Sequence, residues 1–309
     1  MKKRMVTVSV PATSANLGPG FDCLGLALTL YNDVTFTGYE REGRAELVIS
    51  VQGVDANKVV VDERNLVYQS AMTIFARAGK RPCSLNIHQI NRIPVGSGLG
   101  SSSTAVLAGM MGANALLGKP FTDTEILAFA VAEEGHPDNV APALYGGLVL
   151  GVMGDGGLHI ESFAMPALTA VVILPAFHLL TSQARAALPP SVPFADAIFN
   201  AARTPLLVHA LQTANYDKLA IAMQDRLHQP YRMPLIPGME AAYAAAYAAG
   251  ARGVAISGAG PSLIAFAPEG HAAIVERVTA VFADAGLASR NWILPINTRG
   301  TICGEVVDC

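Results

Sequence analysis

Pro94-Val95-Gly96-Ser97-Gly98-Leu99-Gly100-Ser101-Ser102-Ser103-Thr104 is the stretch on which the reading of this chain turns. Gly96, Gly98 and Gly100 alternate with Ser97 and Leu99. It follows an extended-looking segment, Ser84 to Ile90, apolar at Leu85 and Ile87, and precedes a small-residue apolar run, Ala105 to Leu117. The expected order is strand, loop, helix N-terminus. Glycine admits positive φ and lets several N–H groups turn to one side, Ser101 to Thr104 offer capping hydroxyls, and a helix start adds partial positive charge. An anion, most naturally a phosphate, is the expected occupant. A plain glycine turn before a capped helix fits the same residues. Two familiar loops fail on spacing. A Walker A loop needs Lys and then Ser or Thr after its last glycine, but Gly100 is followed by Ser101 and Ser102; a dinucleotide fingerprint from Gly96 needs glycine where Ser101 stands. No Gly-x-Ser-x-Gly elbow is present in this stretch.

Working outward, 309 residues with 51% hydrophobic and 15% charged content can bury a large core, and that length favours two domains over one. A net charge of −3 gives no general attraction to nucleic acid or an anionic membrane, so phosphate recognition must be local. No basic stripe interleaved with aromatics marks a nucleic-acid surface. Cys23, Cys83, Cys303 and Cys309 lack CxxC or Cys/His ligand spacing, which points to a reduced, cytoplasmic chain without a zinc site. Lys2, Lys3 and Arg4 mimic the start of an export signal. The alternation Met5, Val6, Thr7, Val8, Ser9, Val10 into Pro11 reads instead as a first strand. No apolar run approaches the ~20 residues that cross a bilayer.

Val6, Val8 and Val10 predict a half-buried strand ending at Pro11, followed by a turn-rich loop, Ala12 to Asp22. In that loop Asn16 and Asp22 also fit the ordinary role of bonding local backbone. Val34 to Thr37 and Ala45 to Val51 read as strands, and Asn65 to Gly79 as a helix. Ala105 to Leu117 has no polar face, so it is expected to be buried centrally. Thr122 to Glu134 is a second helix with a Thr122/Glu125 capping box. It runs into the polar cluster Glu133, Glu134, Gly135, His136, Pro137, Asp138, Asn139, where His136 alone also fits a histidine at a helix C-terminus. A soft boundary near residue 165 divides the chain into 1–165 and 166–309. Ala170 to Leu174 opens the second part as a strand, and Thr181 to Ala187 follows. Helices are expected around 194–212, 218–227 and 238–249, then strands 254–256 and 263–266, a helix over 271–285, and strands 292–296 and 301–307. Helices and strands alternate irregularly, which argues α+β in two layers.

Pro94 to Ser102 resembles the phosphate-binding motif of the GHMP kinases, a proline followed by Gly-x-Gly-Leu-Gly-Ser-Ser. Pro11 to Asp22 (PATSANLGPGFD) and His136 to Gly147 (HPDNVAPALYGG) resemble the homoserine kinases within that family. Ser257 to Ser262 (SGAGPS) is similar to the family's glycine-rich C-terminal motif. The resemblance implies an N-terminal domain similar to ribosomal protein S5 domain 2, a ferredoxin-like C-terminal domain and a site between them. It implies transfer of phosphate from ATP, with Mg²⁺, to the hydroxyl of L-homoserine, giving O-phospho-L-homoserine in threonine biosynthesis.

Phosphoryl transfer needs neutralised donor phosphates, a metal and an acceptor held in line. By the same resemblance Pro94 to Thr104 hold ATP, and Mg²⁺ lies on Ser102, with Ser101 as alternative, and on Glu134, with Glu133 as alternative. Mg²⁺ commonly takes only one or two protein ligands. Asp22 and Asn16 hold the amine and orient the hydroxyl, Arg185 and Arg232 grip the carboxylate, and His136, Asn139 and Thr181 complete the pocket. Asn139, Asp22 and Glu134 are the residues expected to act in catalysis, and no general base is assigned. Taken singly, each arginine also fits a solvated surface position. A sister kinase keeps the ATP site and changes the acceptor, and a silent nucleotide-binding regulator keeps ATP without turnover. Ser102 together with a helix carboxylate argues against the regulator. A homodimer stays open, because the sequence does not fix the oligomeric state.

Overall fold

The computed structural model describes residues 3–39, 46–80 and 84–308. Lys2, Ala45, Cys83 and Cys309, named above, lie outside these ranges. Two long strands, β1 (Lys3–Asn16) and β2 (Gly20–Tyr39), form an antiparallel hairpin. They are followed by β3 (Leu47–Gly53), α1 (Leu66–Arg77), β4 (Ser84–Asn91), α2 (Ser101–Leu116), α3 (Asp123–Glu134), α4 (Pro137–Tyr145), β5 (Leu148–Gly154) and β6 (Gly157–Phe163). The second part runs β7 (Thr169–Pro175), α5 (Thr181–Ala186), α6 (Phe194–Gln212), α7 (Tyr216–Ala222), α8 (Gln229–Arg232), α9 (Met239–Ala248), β8 (Gly253–Ile256), β9 (Leu263–Phe266), α10 (His271–Asp284) and β10 (Ser289–Pro295). Two short strands close it, β11 (Ile302–Cys303) and β12 (Val307–Asp308).

The loop expected over 12–22 is largely strand. Ala12 to Ala15 pair with Ala27, Leu28 and their neighbours in β2, and only residues 17–19 form the turn. Pro11 does not end β1, because the register shifts between Pro11 and Ala12 and again between Ala15 and Asn16. Such bulges accommodate an unpaired residue and bend the strand. The bend divides the hairpin between two cores. Val6, Val8, Val10, Val34 and Phe36 face α1, α2 and α3, whereas Ala12, Leu17, Leu24, Leu26 and Leu28 pack against residues of the second part such as Val172, Leu207 and Phe266.

The first sheet is ordered β11-β1-β2-β4-β3, with β5 on β2, β6 on β5 and β12 on β1. The closing strands of the chain therefore return to the first sheet, although a division at residue 165 assigns them to the second part. The second sheet has the order β10-β7-β9-β8, antiparallel throughout, with the β-α-β-β-α-β succession that the ferredoxin-like expectation requires. Both of its faces are buried. Val171, Ile173, Val254, Ile256 and Leu263 face α9 and α10, and the alternate residues Ala170, Val172, Ala255 and Ile264 face α6 and α7.

α2 lies at the centre of the first part, buried along most of its length, as its lack of a polar face requires. α1 starts at Asn65, whose side chain accepts from the amides of Val67 and Tyr68, and α3 starts with the expected Thr122/Glu125 box. α4 and α8 are among the helices that the sequence analysis does not expect. Gly135, at φ 88°, stops α3, and Pro137 at the first position of α4 turns the polar run into a new helix. Likewise the helix expected to reach residue 227 stops at Ala222. Asp225 then accepts from the amides of Leu227, His228 and Gln229 and starts α8.

α1 and α2 touch through Gly109, where an added Cβ would overlap the Val67 carbonyl oxygen. Alanine is the better helix former by about 1 kcal/mol, yet overpacking against an immovable backbone costs roughly 1–3 kcal/mol. Gly109→Ala is therefore expected to lower the urea midpoint with an unchanged m value.

Candidate active site

The glycine loop is held from both sides. On one side, the Thr13 amide donates to the Leu99 carbonyl at 3.1 Å. On the other, the Ser257 hydroxyl donates to the Gly98 carbonyl at 2.7 Å and the Ser262 amide to the Ser97 carbonyl at 3.3 Å. The Gly258 amide in turn donates to the Ala15 carbonyl, so β1, the loop and the 257–262 turn form one unit. Gly100 takes φ 70°, and a Cβ there would overlap the Thr13 hydroxyl, so both conformation and space require glycine. The hydroxyls expected to cap α2 do not do so. Gly100 is the N-cap without a side-chain bond, and the first amides of α2 stay open toward the cavity.

Ser102 Oγ donates to Glu134 Oε1 and Ser103 Oγ to Glu134 Oε2, each at 2.6 Å. Glu133 points the other way and accepts from Ser70 and Thr73 on α1, at 2.8 and 2.7 Å. The geometry thus separates two carboxylates that the sequence left open, and adds Ser103 as a second hydroxyl on Glu134. The Glu134 carboxylate and the Ser102 and Ser103 hydroxyls make an oxygen-only donor set, which suits a hard divalent cation that keeps its waters. Leu99 and Thr104 differ from the other loop residues. Leu99 is buried in the core and Thr104 donates to the Ser101 carbonyl, so their side chains support the loop.

The loop forms one wall of a cavity of about 310 Å³, lined also by Asn16, Asp22, Glu134, His136, Asp138, Asn139, Thr181, Arg185, Arg232 and Gly258. Every acceptor-side residue expected from the sequence thus lies on one surface. Their pairing is more specific than the sequence allowed. Arg185 forks onto Asp22 at 2.9 and 2.8 Å, joining α5 to β2. That pair raises the Arg185 pKa through the hydrogen bond. Asn16, at φ 71°, accepts from the Asp22 amide and donates to the Gly258 carbonyl, so local bonding and cavity lining coincide. Arg232 is buried, which lowers its pKa, with the neighbouring Arg185 charge adding to the effect.

Asn139 has its amide fixed by its neighbours. Thr13, fully buried on β1, donates to Oδ1 at 2.8 Å, which leaves Nδ2 as the donor facing Asp138 and the cavity. Nothing in the sequence singled out Thr13, because a threonine in a strand carries no local signal. His136 is the N-cap of α4, and its Nδ1 lies 2.6 Å from Asp138 Oδ1. That bond raises the His136 pKa against the opposing effect of burial. Asp138 is buried and shared between His136 and Asn139, a structural role. Beside them the Cys23 thiol is pushed up to about 11 by burial and by Asp138 and Asp22, so it stays protonated.

A second cavity of about 470 Å³ adjoins the first at Gly96 and is lined by Asp55, Lys58, Pro94, Val95, His178 and Arg290, among others. It was not foreseen, since its walls come from distant segments. The Asp55 carboxylate accepts from the Val95 amide at 3.1 Å and fixes the entry of the loop.

Comparison with known proteins gives two family matches. The family described as GHMP kinases N terminal domain matches residues 65–147, and GHMP kinases C terminal matches residues 207–284. A homoserine kinase of Trichormus variabilis is 44% identical over 297 residues, covering 96% of this chain and 97% of that one. A homoserine kinase of Gloeobacter violaceus is 49% identical over 258 residues, covering 84% and 86%. The crystal structure of a homoserine kinase from Cytophaga hutchinsonii superposes with a TM-score of 0.87 at 32% identity, covering 97% of each chain.

The His136–Asp138 pair has a pH signature. A histidine whose folded-state pKa is raised stabilises the fold fully below its unfolded pKa and loses that contribution as pH rises through the folded value. The Tm difference between the unmodified protein and His136→Gln is therefore expected to be larger at pH 6 than at pH 9, measured by calorimetry. A difference that grows with pH would contradict the assignment.

Proposed function

This chain belongs to the GHMP kinase family, and from that premise we propose that it transfers the γ-phosphoryl group of ATP to the hydroxyl of L-homoserine, giving O-phospho-L-homoserine. The observation that carries this reading is the meeting of the glycine loop, a carboxylate–guanidinium pair and the fixed Asn139 amide in one cavity. The open amides of α2 and the loop receive the phosphates. The adjoining cavity at Asp55, Val95 and Arg290 is contiguous with that site and takes the nucleoside end. Glu134 and Ser102 would hold Mg²⁺, which when bound neutralises charge on the donor phosphates. The reaction is the hydroxyl-phosphorylating step of threonine biosynthesis.

An amino acid brings an ammonium and a carboxylate together. Entering between Asp22 and Arg185, it exchanges one internal ion pair for two, its ammonium on Asp22 and its carboxylate on Arg185 and Arg232. The Asn16 side chain holds the backbone at Asp22, which sets where the ammonium sits. Thr181 and His136 close the sides. The hydroxyl then lies toward Asn139, whose Nδ2 donor orients it for in-line attack. No side chain is assigned as a general base, and positioning with charge stabilisation carries the step. Mevalonate carries a carboxylate but no ammonium and a sugar carries neither, so an aspartate set beside two arginines suits the zwitterion.

A coupled ADP-release assay with ATP and Mg²⁺ tests this by comparing L-homoserine with L-threonine, L-serine, mevalonate and galactose. Release is expected with L-homoserine, with O-phosphohomoserine as product. Turnover on mevalonate or galactose alone would move the chain to a sister activity, and nucleotide binding without turnover would make it a binding protein. Within the site, Glu134→Gln is expected to lower kcat by roughly 100-fold or more, the order seen when a single preorganised charge-stabilising group is lost. Glu133→Gln is expected to keep kcat within about twofold, because its partners lie on α1.

A further inference from the structure

His228 is a fully buried histidine outside the set of residues that line the cavity. Its two ring nitrogens face partners of opposite kind. Nε2 lies 2.8 Å from the Gly18 carbonyl, in the turn between β1 and β2, and 3.5 Å from Asp225. Nδ1 lies 3.3 Å from Nη1 of Arg232, one turn further along α8. A carbonyl can only accept and a guanidinium can only donate, so the proton must sit on Nε2 and Nδ1 must be the acceptor. The chemistry of the partners therefore fixes both charge state and tautomer: a neutral imidazole carrying Nε2–H.

The consequence for Arg232 follows by counting its donors. Nε reaches the Ala184 carbonyl at 3.4 Å, and Nη1 is divided between the Gly258 carbonyl at 3.1 Å and His228. Nη2 makes no hydrogen bond among the described residues and is the part of the fork left for a ligand. The ring of Phe21, directly before Asp22, stacks on His228 with centroids 5.0 Å apart, and Arg232 Cζ stands 5.1 Å from the same ring. His228 thus touches the turn that carries Asn16 and Asp22 on one side and the buried arginine on the other.

We propose that His228 is a positioning residue for the acceptor site, a neutral imidazole whose two nitrogens set the spacing between the ammonium-binding turn and the carboxylate-binding Arg232. This inference rests on the reading of Arg232 as a carboxylate contact. Burial keeps the ring neutral, lowering its pKa against the pull of Asp225. Asp225 does not need a charged histidine, since it already accepts from Asn200 Nδ2 and from the amides of Leu227, His228 and Gln229.

Three substitutions separate positioning from bulk. His228→Phe keeps an aromatic ring for Phe21 and removes both nitrogens. His228→Asn restores an acceptor near the Nδ1 position, and His228→Gln restores a donor near Nε2 only. Steady-state kinetics and Tm are measured for each, with Arg232→Ala as reference. His228→Phe is expected to raise the homoserine KM by roughly 10- to 100-fold, the scale of a lost hydrogen bond to a charged group, with the ATP KM within about twofold. His228→Asn is expected to recover most of that loss and His228→Gln little of it.

A homoserine KM for His228→Phe within about twofold of the unmodified enzyme, while Arg232→Ala is strongly impaired, would overturn this inference alone. So would equal losses in all three variants that track a common fall in Tm and raise both KM values together. An unchanged homoserine KM in Arg232→Ala would overturn the underlying site reading, and this inference with it.

Discussion

A backbone clamp on the glycine loop is the constraint on which the rest of the site depends. Thr13 and Ser257 grip the carbonyls of Leu99 and Gly98 from opposite sides, the first from the long hairpin and the second from the turn of the other sheet. No side chain at Gly98 or Gly100 could fit between them. With its carbonyls engaged outward and the Val95 and Leu99 amides held by Asp55 and Ser97, the loop leaves its remaining amides and the uncapped start of α2 as the groups available to an anion. A preorganised cradle of this kind lowers the entropic cost of ordering on binding.

The bent hairpin explains how one cavity draws on both sheets. Because β1 and β2 change core at the Pro11 bulge, their tips lie under the helices of the second part. Asp22 therefore meets Arg185, and Gly18 meets His228, across sequence separations of 163 and 210 residues. Thr13 lies on the same bent segment and reaches Asn139 at the start of α4. One strand distortion thus sets the distance between the phosphate cradle and the proposed acceptor pocket. An isolated charge pair at this depth would add little stability. Here it keeps two opposite charges poised for a zwitterion.

Much of this was legible in the sequence, and the remainder has physical reasons for being hidden. The helix at α6 was read with its observed bounds, and α1, α3 and the strands β4, β7, β8 and β9 within a few residues, because each carries its own periodicity or cap. The hairpin tip looks like a loop in sequence, since Asn16, Gly18, Pro19 and Gly20 are turn formers and the pairing of Ala12 to Ala15 is decided by distant partners. α4 is hidden in the sequence because a polar run after a helix looks like its end, although Pro137 is a helix-start signal. The loop, Glu134 and the Asp22, Arg185 and Arg232 set were placed on one cavity from motif resemblance. Thr13 and His228 were not, because each acts through a partner that only the fold brings near, and for the same reason Ser103, expected with the ATP loop, carried no sign of its bond to Glu134. The choice between Glu133 and Glu134 likewise needed the rotation of α3, which no local pattern fixes.

The most direct measurement is a crystal structure of the enzyme with L-homoserine and a non-hydrolysable ATP analogue. The expected density places the amino-acid carboxylate on Arg185 and Arg232, the ammonium on Asp22 and the hydroxyl between Asn139 and the terminal phosphate at the loop. Homoserine bound with its carboxylate turned toward the loop and its hydroxyl toward Arg232 would contradict the acceptor orientation, and so would density for the amino acid outside this cavity.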